Sequence, residues 1–275
     1  IFGSFALACV ILTLAIYWAA GGTPAEQVTA QRDMAVMLGQ IAGETIDPQS
    51  EQSGQLVAVA ASALPTAQVE NGLPLPTGSY RSAFNLDFDA FSFRNYGSTF
   101  PAGNLSVVEV REIFGDGVCV RLEGDACVPT PSAQFWIDQM NDAMNQGHCL
   151  GFTVLAYDLF SGNLSQQQFQ NDAAVTHALG QEPALMRTIA QRWSLQTTPE
   201  LLNASVTGTP RDIIVKLFAL REPVDLGLFG RKGGGHSVLA YGVDQVGESL
   251  YHILVYDNNW PDKEPFVEVD TANNT

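Results

Sequence analysis

The chain has 275 residues, a formal net charge of −16 and a sequence pI of about 4.4. That length admits one or two domains with a sizeable core. The acidic surface repels a phosphate backbone, and the 13 Lys and Arg residues form no basic stripe, so nucleic-acid binding is disfavoured.

Residues 1–20 carry no charged side chain and are almost all apolar, and the first charge is Glu26. This is about the length that spans a bilayer as a helix. The expectation is a single-pass transmembrane helix, with a signal segment as the alternative, although a signal core is usually only about 7–15 residues. Either reading puts the remainder outside the cytosol, membrane-anchored or secreted. Residues 21–80 are rich in Ala, Gln, Gly, Ser, Thr and Pro and read as a polar linker or stalk, with one short helix over 29–38. The folded domain is expected over 81–275. Phe84, Leu86, Phe88, Phe91 and Phe93 recur at spacing two or near it, which predicts a strand or extended arm.

Cys119 and Cys127 bracket a segment containing Gly124-Asp125, a turn that brings two sulfurs together, and an oxidising compartment would pair them. Cys9 lies in the apolar segment. Cys149 is then the odd thiol, which marks it as a candidate for reactivity. Metal and cofactor sites are not expected, because Cys149, His148 and His236 lack the close paired spacing of a structural zinc site. Asn104-Leu105-Ser106, Asn163-Leu164-Ser165 and Asn203-Ala204-Ser205 match the glycosylation tripeptide, a pattern common by chance.

Thr130-Pro131 is a helix start, cap followed by a favoured first residue, and Gly147 is placed to end that helix. A second, apolar helix begins near Cys149 and stops at Ser161-Gly162-Asn163. Two more are predicted over 183–195 and 210–220. After Gly230 the pattern changes to β-branched and aromatic runs over 236–243, 250–256 and 265–269. The domain is therefore expected to be α+β, helical first and sheet-rich later.

Cys149 at a helix N-terminus would face unpaired backbone N–H groups, which favour a thiolate and an oxyanion. His236 follows three glycines and enters a strand. Asp257 ends the next strand, so antiparallel pairing would set a carboxylate beside the imidazole. Asn258 and Asn259 are alternative third members, and Gln146 is a candidate oxyanion donor. Gln139 is a second candidate for that role.

This order resembles the papain-like cysteine peptidase superfamily, in which a Cys opens a long helix, a His sits on a strand, and an Asp or Asn ends the following strand. Val238-Leu239-Ala240-Tyr241-Gly242 is similar to that family's His-strand. Tyr251 to Trp260 is similar to its Asn-strand, which also has a Trp soon after the third residue. The resemblance implies a papain-like α+β fold, helical in the half carrying the Cys and antiparallel in the half carrying the His. It implies an extracytoplasmic thiol hydrolase acting on peptide or protein substrates, with Cys149 as nucleophile, His236 as base and Asp257 as orienting group. The Gly-Ser-Cys-Trp signature is absent, and the Cys-to-His spacing (236 − 149 = 87) is shorter than the roughly 130–150 of papain and cathepsins. Both features suggest a distant, bacterial-type branch. A catalytically inactive interaction domain, and a thiol acyltransferase or amidase, remain the alternatives on the same scaffold.

Overall fold

The computed structural model describes residues 74–97, 103–198, 201, 208–229, 235–273 and 275. The expected membrane segment, the short helix over 29–38 and nearly all of the linker lie outside those residues. Among the described residues, no helix is long and apolar enough to cross a membrane.

The chain order is β1 (Ser79–Arg81), α1 (Leu86–Asp89), α2 (Val107–Phe114), β2 (Cys119–Glu123), β3 (Ala126–Pro129), α3 (Pro131–Ala143), α4 (Cys149–Phe160), α5 (Pro183–Ser194), α6 (Pro210–Leu220), β4 (Val224–Phe229), β5 (Gly235–Gln245), β6 (Leu250–Tyr256) and β7 (Phe266–Asp270). The architecture is α+β with antiparallel sheets. β5 is the centre of the main sheet. β6 runs along one of its edges and carries β7 outside it. β4 and β1 share the other edge, β4 opposite Gly235–Ala240 and β1 opposite Gly242–Asp244. β2 and β3 form a separate hairpin closed by the Cys119–Cys127 disulfide.

Local chemistry explains the helix starts. The Thr130 hydroxyl accepts from the Ala133 N–H, with Pro131 in the first helical position. Ser106 and Glu109 cap α2 reciprocally, as Thr209 and Asp212 cap α6. The aromatic run near Phe88 is a correction. Leu86–Asp89 is a helical turn and not a strand, because Asn85 accepts from the Asp87 N–H while the Asp89 carboxylate accepts from the Asn85 N–H. Those two side-chain bonds favour a turn that spacing alone cannot reveal. Packing also starts upstream of residue 81, with Leu75 against the sheet and the Tyr251 hydroxyl donating to the Pro76 carbonyl.

α4 is the hub. Every residue from Cys149 to Leu159 is buried, as its nearly unbroken apolar sequence requires. The helix lies on the sheet face that carries Leu239, Tyr241 and Tyr256, while Ile214 and Leu217 of α6 cover the opposite face with Val224, Leu226, Val238 and Ala240. α5 packs along α4 so closely that a Cβ on Gly151 would stand 2.0 Å from the Ile189 carbonyl oxygen. That oxygen belongs to a helix backbone and cannot rotate away. Gly151→Ala is expected to lower stability by about 3 kcal/mol, the upper end of overpacking costs, read as a lower urea midpoint with an unchanged denaturant slope.

Candidate active site

Three elements converge at one end of the sheet: the start of α4, the start of β5 and the turn after β6. Gly147, at φ +126°, is followed by His148 and then Cys149, the first residue of α4. A side chain at Gly147 would be strained by that backbone and would also meet the Asn95 amide at 2.8 Å. Cys149 is the free cysteine among the described residues and is 8 % exposed.

His236 Nε2 donates to Asp257 Oδ1 at 2.7 Å. The Cys149 thiol lies beside the same ring, close enough to act on its charge. With Nε2 committed to the carboxylate, Nδ1 is the nitrogen left for the thiol. Burial pulls the imidazole pKa down, but hydrogen bonds to Asp257 and Cys149 and their charges outweigh it, and the pKa is raised to about 9. His236 is thus a cation at neutral pH. Asp257 moves the other way: burial pushes it up, but the bond from His236 and the Asn259 N–H at 2.9 Å hold it below the usual carboxylate range.

The other candidates fall in different places. Asn259 lies beside the pair, its side-chain nitrogen 3.3 Å from His236 Nε2, and its side-chain oxygen accepts from Asn95 at 3.1 Å. Asn258 is fully buried and does not orient the ring. Its Nδ2 donates to the backbone carbonyls of Cys149 at 3.1 Å and of Ser237 at 3.0 Å, tying α4 to β5 directly behind the pair. Gln146 is exposed in a 3-10 turn, and Gln139 is exposed on α3. Among the described residues neither has a hydrogen bond to Cys149 or His236. The 3-10 turn before Gly147 directs Gln146 outward, which spacing from the cysteine does not convey.

Asn95 escaped the sequence reading altogether. Its Oδ1 accepts from the His148 N–H at 2.7 Å, and its own N–H donates to the Asn258 carbonyl at 2.8 Å, so it clamps the loop before Cys149 to the Asp257 turn. No local motif marks it, since its bond to His148 spans a separation of 53 residues. His148 is structural. Fully buried, it stacks on Tyr96 with centroids 4.3 Å apart, donates from Nδ1 to the Tyr96 carbonyl at 2.7 Å and meets the Asn104 side chain at 2.9 Å. Burial lowers its pKa. Asn104 is therefore enclosed as a ring partner and is no glycosylation acceptor in the folded chain. Among the described residues no cluster of His, Cys, Asp or Glu is arranged to hold a metal ion.

No protein-family model, no curated protein and no solved structure matches this chain.

The raised His236 pKa makes a signed prediction. A histidine that gains a partner on folding stabilises the fold fully below its unfolded pKa of about 6.5. That contribution is lost as pH rises through about 9. Urea unfolding between pH 6 and pH 10 should show wild type losing stability relative to His236→Ala across that window. Parallel curves would contradict the assignment.

Proposed function

We propose that this chain is a papain-like cysteine hydrolase that cleaves amide bonds through a Cys149 acyl-enzyme. The observation that carries the reading is the trio itself: a thiol at the N-terminus of a buried helix, in contact with a cationic imidazole whose far nitrogen is held at 2.7 Å by a carboxylate. The chain order Cys, His, Asp and the helical-then-sheet organisation favour the papain-like scaffold over other thiol hydrolases. The hairpin disulfide favours an oxidising, extracytoplasmic compartment, reached either by secretion or through an N-terminal membrane anchor.

The chemistry runs in two halves. The Cys149 thiolate attacks the scissile carbonyl carbon, and the backbone N–H groups at the start of α4 take the oxyanion. The imidazolium of His236 gives a proton to the departing amine, the C–N bond breaks, and a thioester remains. Neutral His236 then takes a proton from water. The hydroxide attacks the thioester, the C–S bond breaks, and the carboxylic acid leaves, losing its proton to solvent, while the thiolate–imidazolium pair is restored. Asp257 holds the ring in the one tautomer and orientation that serves both halves. Peptides or proteins are the proposed substrates. Transfer of the acyl group to an amine in place of water would make the same site a transferase.

The test is to trap the acyl group. Incubation with p-nitrophenyl acetate should give a burst of nitrophenol and an acetyl thioester mapped by mass spectrometry to Cys149. Cys149→Ala should abolish both, and His236→Ala should slow acylation about 10²–10⁴-fold. A folded wild-type protein that forms no adduct at Cys149 would refute the reading and leave an interaction domain with a structural cysteine.

A further inference from the structure

Beneath the trio lies a carboxylate that the mechanism above does not use. Asp225 is 2 % exposed, the second residue of β4, between Val224 and Leu226. It sits on the face of the sheet that α4 covers, because its register partner is Leu239. Two hydroxyls converge on its Oδ1. One belongs to Thr153 of α4, at 2.5 Å, four residues after Cys149 and so one turn along the same face. The other belongs to Ser237 of β5, the residue after His236. The two hydroxyls also lie 3.1 Å apart. Among the described residues the second oxygen, Oδ2, has no hydrogen-bond partner. A buried carboxylate is costly, and an apolar residue would fill the position at less cost.

We propose that Asp225 is a positioning residue for the Cys149–His236 pair, acting in its ionised form by drawing the Thr153 and Ser237 hydroxyls onto one oxygen and so holding the nucleophile helix and the base strand in fixed register. This rests on the hydrolase reading. Thr153 has a single hydroxyl proton and three acceptors in reach, the carboxylate, the Leu150 carbonyl at 2.9 Å and the Ser237 hydroxyl oxygen at 3.1 Å. An anionic Asp225 takes that proton and couples α4 to the sheet. A neutral Asp225 accepts more weakly, and the hydroxyl returns to its own helix. The groups around the carboxylate are few in kind. α4 brings Thr153, with Cys149 one turn above and Tyr157 one turn below, hydrogen-bonded to Glu222 at 3.4 Å. β5 brings Ser237 and His236, and the positive charge of His236 favours the carboxylate. α6 with Lys216 lies on the opposite face. Burial nevertheless raises the Asp225 pKa to about 6, so the device engages as pH rises through that value.

The experiment is the pH profile of Cys149 alkylation by iodoacetamide from pH 4.5 to 9, in wild type, Asp225→Asn, Thr153→Val, Thr153→Ser, Ser237→Ala and His236→Ala, each first shown to be folded by circular dichroism. Asp225→Asn should label about 10- to 100-fold more slowly at pH 7.5, the loss expected from a misplaced reacting group, and should lose the inflection near pH 6. Thr153→Val and Ser237→Ala should slow labelling in the same direction, and Thr153→Ser, which keeps the hydroxyl, should restore the wild-type rate and profile. If Asp225→Asn does not fold, the Thr153 pair and Ser237→Ala decide the matter. Wild-type rates and inflection in Asp225→Asn, or in both hydroxyl deletions, would overturn the proposal alone, provided His236→Ala slows labelling. Labelling that His236→Ala leaves unchanged would overturn the hydrolase reading and this proposal with it.

Discussion

One buried side-chain amide sets the geometry on which the rest of this site depends. Asn258 spans two carbonyls, that of Cys149 on the helix and that of Ser237 on the strand. These belong to Cys149 itself and to the residue after His236, so the amide ties the backbone that carries the thiol to the backbone that carries the imidazole. Removing that amide would take away two buried hydrogen bonds at once, each contributing about 0.5–1.5 kcal/mol. The amide therefore specifies where α4 can rest on the sheet without engaging the Cys149 thiol or the His236 ring.

Around that tie, the structure invests heavily in immobility. α4 is apolar enough to be buried on all sides, and the close approach of α5 at Gly151 removes the freedom to slide. Phe91, Phe93 and Tyr96 pack edge-on against Phe152, bringing the 91–97 segment across the front of the helix, where Asn95 reaches the loop before Cys149. The Asp257 turn is held from its outer side as well, with the Arg94 guanidinium 5.2 Å from the Trp260 ring. Under the proposed hydrolase reading, preorganisation of this kind would present the thiol in an attack-ready orientation without reordering during the reaction.

How much of this the sequence disclosed follows from the range of each interaction. The helix over Pro131–Ala143, the start of α4 at Cys149 and the strands β5 to β7 depend on caps, periodicity and β-branched runs within a few residues, and all were readable. So was the meeting of His236 and Asp257, because two adjacent antiparallel strands bring their outer ends together. The Cys119–Cys127 bond was readable because a turn lies between them. The strand expected near Phe88 failed because two local side-chain bonds, at Asn85 and Asp89, override a period of two. The division of labour among Asp257, Asn258 and Asn259 was not legible, since in a strand-ending turn each successive residue points in a new direction. Asn95 and Thr153 gave no local signal at all. Asp225 left one, a carboxylate inside the apolar run Val224-Asp225-Leu226, and β4 itself was passed over with it.

The central claim is a cationic His236 beside the Cys149 thiol, steadied by Asp257, and the most direct measurement is the NMR titration of ¹³C-labelled His236, assigned with His236→Gln, in wild type and in Cys149→Ser. The account predicts a wild-type midpoint near pH 9 that falls clearly when the thiol is replaced. A midpoint near the ordinary value of about 6.5, unchanged by the substitution, would contradict it.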